Sequence, residues 1–103
     1  MNRSKLTEAQ IENEMAAMAS FGGWRLENGA LTKEFQFLTY LDGVSFAVRV
    51  AEEAEKMDHH PDLAIRWRKV LFSVSTHSAK GLTQLDFDLA QRTEELLADM
   101  GNS

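Results

Sequence analysis

The chain has 103 residues, no cysteine, and 11 Lys and Arg set against 16 Asp and Glu, for a formal net charge of −5. That length holds one hydrophobic core rather than two, so a single domain over residues 1–103 is expected, and small domains often gain stability by oligomerising. The composition excludes disulfides and thiolate metal sites, its acidic balance disfavours the nucleic-acid backbone as a partner, and no apolar run is long enough to span a membrane.

The first residues, with Arg3 and Lys5 ahead of Thr7, Glu8 and Gln10, lack the apolar stretch of a secretory signal, so a soluble cytoplasmic protein is expected. Thr7 and Gln10 stand at the spacing of a capping box, and Leu6 and Ile11 at that of a hydrophobic staple. Ile11, Met15 and Met18 then recur on one helical face, and Gly22-Gly23 ends the helix. A hairpin follows. Trp24 and Leu26 alternate with charged residues, Asn28-Gly29 suits a type I′ turn, and Leu31, Phe35 and Phe37 mark the apolar face of the returning strand.

A second helix is expected from about Thr39 to Met57, with Val44, Ala47, Val48, Ala51 and Ala54 as its inward stripe. Pro61 bars its continuation by restricting His60 to extended conformations. Residues Leu63 to Thr76 are β-branched and aromatic and read as two strands, with Arg66, Arg68 and Lys69 as solvated charges of their hairpin. A third helix starts near Gly81, with Thr83 able to cap it, Asp86 favourably placed against its N-terminal dipole, and Leu82, Leu89, Ala90, Leu96 and Leu97 as its apolar face. The order α-β-β-α-β-β-α predicts an α+β fold: a four-stranded antiparallel sheet with three helices on one face.

All three histidines fall at element ends: His59 and His60 after the second helix, His77 after the fourth strand. A rigid scaffold holds such positions while leaving them open to a ligand. Helix C-terminal carbonyls and the Asp58 carboxylate both favour a protonated imidazole beside them, which suits a general acid. Using both His59 and His60 in one site requires a turn, because neighbours in extended chain point to opposite sides. The spacing fits no helix-borne metal-ligand pair, and Ser73, Ser75 and Thr76 near His77 form no nucleophile elbow. No metal is expected. Spacing alone does not bring His77 to the other two histidines.

The set Glu55, His59-His60-Pro61, Trp67, His77 and Asp86, together with Ser75-Thr76-His77, Gly81-Leu82-Thr83 and Leu89-Ala90, resembles the pterin-4a-carbinolamine dehydratases. The resemblance implies the same α+β fold, a homodimer or homotetramer, and one pocket that gathers the three histidines. It also implies loss of water from a 4a-hydroxytetrahydropterin, with the pterin as substrate and no further cofactor. By resemblance, His59, His60 and His77 are the catalytic set. Glu55, Asp58, Pro61 and Asp86 bind or orient, and Trp67 shapes the pocket or packs beneath it. One position departs from the pattern: animal members carry arginine immediately before the aspartate, where this chain has Leu85. The alternative function is a dimerisation or regulatory cofactor for a protein partner, as some animal relatives are for a homeodomain transcription factor.

Overall fold

The computed structural model describes residues 3–101. Helix α1 (Glu8–Met18) runs into a short 3₁₀ turn, and strands β1 (Arg25–Glu27) and β2 (Ala30–Gln36) form the first hairpin. Helix α2 (Tyr40–Met57) leads into strands β3 (Asp62–Arg66) and β4 (Lys69–Val74). A second 3₁₀ turn (His77–Ala79) precedes helix α3 (Gln84–Asp99). The sheet is antiparallel throughout, in the order β1-β2-β4-β3. The expected fold class and element order are those observed.

Local signals act where the sequence puts them. Thr7 and Gln10 close a reciprocal capping box at the start of α1, at 3.2 and 2.8 Å. Asn28 and Gly29, with φ of 52° and 77°, make the two-residue turn between β1 and β2. The central strands set the core. Leu31 pairs with Val74 and Phe35 with Val70, and all four are buried on the face that the helices cover.

Two features differ from expectation. The inward stripe of α2 is Gly43, Phe46, Ala47, Val50 and Ala54, whereas Val48 and Ala51 face outward. The helix carries two apolar series, and the one containing the larger side chain wins the core. Phe46 is fully buried, with its ring centroid 4.8 Å from that of Phe35 and 5.1 Å from that of Phe37. Gly43 lets the helix approach the sheet: a Cβ there would sit 3.3 Å from Val70 Cγ2. Leu38, Tyr40, Leu41 and Val48 are left exposed along the outer flank of α2 and the segment leading into it.

The second departure is Lys33, which shares the inward face of β2 with Leu31 and Phe35 and is buried. Its ammonium pairs with buried Glu94 of α3, which also accepts a 2.8 Å bond from Trp24 Nε1. The ammonium lies 4.7 Å from the centre of the Phe35 ring and 5.6 Å from that of Trp24. Among the described residues no helix is long and apolar enough to cross a membrane.

Candidate active site

The chain leaves α2 through a left-handed residue. Asp58 adopts φ 50° and ψ 45°, its amide donates to Glu55 O, and the His59 amide donates to Ala54 O, which is the bonding pattern of a Schellman motif. Asp tolerates this conformation better than most side chains. The turn is therefore made at Asp58, before the histidines, rather than by Pro61. It drives His59 inward, 5% exposed, and leaves His60 on the surface. At the far end of β4, Thr76 bonds to Gly81 through both of its backbone groups, at 3.0 and 3.4 Å. That bridge closes the loop carrying His77 and holds it beside the α2–β3 connection.

The result is a cleft of about 280 Å³ whose walls include His59, His60, His77, Ser75, Thr76 and Arg3. Its floor is a buried polar network. Asp86, fully buried in the first turn of α3, accepts from His59 Nε2 at 2.6 Å, from the Thr76 hydroxyl at 2.9 Å and from the Thr83 amide at 2.8 Å. The Thr83 hydroxyl stands 2.8 Å from that of Thr76 and completes the chain of bonds. A carboxylate accepting three such bonds is satisfied and held rigid.

Arg3 fixes the His59 tautomer. Its Nη1 lies 3.4 Å from His59 Nδ1, and a guanidinium only donates. Nδ1 is thus the acceptor, and Nε2 carries the proton toward Asp86. Arg3 Nη2 also donates to the Asp58 carbonyl at 2.7 Å, with the Asp58 carboxylate 4.0 Å away. Both nitrogens of His59 are engaged, whereas His60 and His77 are exposed. His60 Nε2 stands 3.5 Å from Glu55 Oε1, an exposed pair across the helix end.

The expected site residues are thus gathered unequally. Glu55, Asp58, His59, His60, His77 and Asp86 converge at one end of the β3–β4 hairpin, and Pro61 connects them to β3. Trp67 does not join them. It occupies the two-residue turn at the opposite end, beyond the five residues of β3, about 16 Å of strand. There it is 71% exposed, with φ 48° and the Arg68 guanidinium 4.2 Å from its ring centre. It borders a separate, larger cavity of about 520 Å³ with Phe37, Leu38 and Arg66. Leu85 is 2% exposed in the core, so its side chain takes no part in the cleft. Arg3, Ser75 and Thr76 are cleft residues that spacing did not single out. Ser75 and Thr76 carried a signal, as the polar run immediately before His77; Arg3 carried none. Among the described residues no three His, Asp or Glu side chains are grouped as ligands for one metal ion.

Comparison with known proteins identifies the family. A profile of the family described as "Pterin 4 alpha carbinolamine dehydratase" matches residues 4–96. Two curated relatives, both named for pterin-4-alpha-carbinolamine dehydratase, come from Mycobacterium sp. (strain KMS) and Mycobacterium avium (strain 104). The first is 45% identical over 92 residues, which is 89% of this chain and 95% of the relative. The second is 48% identical over 86 residues, 84% of this chain and 88% of the relative. A crystal structure of a "transcriptional coactivator/pterin dehydratase" from Brucella melitensis superposes with a TM-score of 0.83 at 29% identity, covering 90% of this chain and 98% of that one. The chain therefore belongs to the pterin-4-alpha-carbinolamine dehydratase family and is a hydro-lyase.

Proposed function

We propose that this protein converts 4a-hydroxytetrahydropterin to quinonoid dihydropterin and water, with His60 and His77 exchanging the protons and the His59–Asp86 pair framing them. The observation that carries the reading is the contrast within one cleft: two histidines open to a ligand, and a third with both ring nitrogens occupied.

The reaction asks for little else. The C4a–O bond breaks as the N5 lone pair forms the C4a=N5 double bond. One proton goes to the departing oxygen to make water, and the N5 proton is lost to a base. Imidazole exchanges protons near neutral pH in either direction, so one exposed histidine serves as acid and the other as base. Glu55, whose carboxylate lies 3.5 Å from His60 Nε2, helps to orient that ring. No cofactor beyond the pterin is required by this chemistry. The cycle would return a spent pterin to its oxidised carrier form, and the cytoplasm is the compartment this reading assumes.

Stopped-flow ultraviolet decay of freshly generated 4a-hydroxytetrahydropterin tests it. Wild type accelerates the decay, and His60→Ala loses roughly 10²–10⁴ of that acceleration. Wild-type decay no faster than buffer sinks the reading.

A second reading rests on a different surface. Leu38, Tyr40, Leu41 and Val48 leave an apolar flank uncovered on and before α2, and such exposed patches mark protein contacts. It supports a homodimer or homotetramer through α2. It also suits a regulatory partner, in line with the coactivator description of the Brucella protein. Sedimentation of wild type beside Leu41→Glu/Val48→Glu separates these: dissociation supports self-association, and unchanged mass leaves the flank to another partner.

A further inference from the structure

The sequence ahead of α1 has no periodic pattern, yet one of its residues reaches the chemistry. The backbone brings it there: Leu6 N donates to Leu82 O at 2.8 Å, tying the segment beside the loop that precedes α3. Arg3 then extends over the cleft and is held at two points, the Asp58 carbonyl and His59 Nδ1. These two bonds use two of its N–H groups. A guanidinium has five, and with the side chain 40% exposed on the wall of the cleft, the remaining donors are available to a bound molecule.

We propose that Arg3 is a substrate-positioning residue of the histidine cleft, whose free guanidinium N–H groups bind the carbonyl edge of the pterin ring. The inference rests on the dehydratase reading for the identity of the ligand, and on the geometry alone for the donor. The ring carbonyl oxygen of a pterin has two lone pairs, which N–H groups held in one plane can meet together and a freely rotating lysine ammonium cannot. The two anchoring bonds fix the plane of the fork before the ligand arrives, so little ordering is left to do on binding.

The charge of Arg3 also says which kinetic constant it serves. As the C4a–O bond breaks, positive charge develops at C4a and N5, next to the ring carbonyl. A fixed cation there does not favour that change. Arg3 therefore adds nothing specific to the transition state; its loss is read as a raised KM, not as a lowered kcat.

The groups facing His59 are Asp86 from α3, Arg3 from the N-terminal segment and Asp58 from the end of α2, with His60 and His77 as neighbours in the cleft. Removing Arg3 exposes Nδ1 to solvent while Asp86 stays in place. That gives a readout independent of turnover: two-bond ¹H–¹⁵N spectra of the imidazoles report whether Nδ1 of His59 is bonded and unprotonated.

The experiment compares wild type, Arg3→Ala and Arg3→Lys in steady-state dehydration, in binding of a stable dihydropterin, in thermal melting and in imidazole spectra. We expect Arg3→Ala to raise KM and the dihydropterin Kd roughly tenfold, the scale of one charge-assisted hydrogen bond. We expect kcat within about threefold, an unchanged melting temperature, a shifted His59 Nδ1 resonance and only partial recovery by Arg3→Lys. Unchanged KM and Kd in Arg3→Ala overturn the proposal, as does full recovery by lysine, which would reduce the fork to a charge. A lowered melting temperature with unchanged KM makes Arg3 a structural tie and also overturns it. If wild type shows no dehydration, the reaction assignment falls. The dihydropterin Kd and the His59 resonance then still decide whether Arg3 is a ligand-facing clamp.

Discussion

Helix α3 carries two buried carboxylates, and they do different work. Asp86, in its first turn, is bonded to His59, Thr76 and Thr83, and the network ends at a cleft open to solvent beside His60 and His77. Glu94, two turns further along, is bonded to Lys33 and Trp24 under aromatic rings, with Lys33 11% and Glu94 6% exposed. Each network satisfies its polar atoms, as burial demands. The difference is the exit. A buried charge whose partner borders a cleft can position a reacting group, and one enclosed by core side chains can only fix how helix and sheet meet. Perturbing the first should therefore change chemistry, and perturbing the second should change stability alone.

The largest expected effect is at the cleft. His60→Ala and His77→Ala should each lower kcat roughly 10²–10⁴-fold with melting temperatures near wild type, because both side chains are exposed. Next comes the enclosed pair. Glu94→Ala leaves the Lys33 ammonium buried without its carboxylate and should cost about 3–5 kcal/mol in denaturant unfolding. Activity per folded molecule should be unchanged. The double replacement Lys33→Met/Glu94→Leu should recover most of that loss, since an apolar pair of similar volume removes both desolvation penalties.

Asp86→Asn blurs the contrast on purpose. It keeps the size of the side chain but weakens the bond from His59 and the cap on Thr83 N, so both unfolding free energy and kcat should fall. A change in only one of them would mean that the frame and the chemistry are separate.

The smallest effect lies outside both networks. Arg92 hydrogen-bonds Glu53 at 3.1 Å and holds its carboxyl below the ordinary value of 4.5; partial burial opposes this and Lys56 adds to it. A carboxyl lowered in the folded state stabilises the fold above its unfolded value, and that contribution is lost as pH falls through the folded one. Glu53→Gln should thus melt slightly below wild type at neutral pH, with the two curves converging in acid as the pH falls through that lowered carboxyl value. The pair is near the surface and screened by solvent, so the difference is small.

How much of this could be read in the sequence depends on whether a feature is local. The capping box at Thr7 and Gln10, the Asn28-Gly29 turn and the end of α2 before His59 are fixed by neighbouring residues, and they formed where expected. The rotation of α2 was harder. Phe46-Val50-Ala54 and Val44-Val48-Ala51 are competing stripes two residues apart, and only the space between Phe35, Phe37 and Val70 decides which turns inward.

Lys33 was legible in principle. It has the parity of Leu31 and Phe35, and strict alternation puts all three on one face. Its partner is 61 residues away, however, and periodicity does not pair charges across that distance. The meeting of His77 with His59 and His60 follows from the register of the β3–β4 hairpin, which sets Asp62 opposite Ser73; the residue pattern gave the hairpin without that register, and only the family resemblance implied the meeting. Trp67 shows the limit of such a transfer. The motif counted it with the site, whereas a hairpin with a two-residue turn carries it to the far end of the strands. Arg3 had no signal, because an irregular segment gives no pattern from which to infer its contacts.

The division of labour within the cleft is tested most directly by setting the two adjacent histidines side by side: His59→Ala and His60→Ala, each in single-turnover dehydration and in equilibrium unfolding. His60→Ala should unfold like wild type and barely turn over. His59→Ala should lose about 3–5 kcal/mol of stability, because it leaves Asp86 buried without its imidazole. A His60→Ala protein that dehydrates the pterin at the wild-type rate, or a His59→Ala protein as stable as wild type, would contradict it.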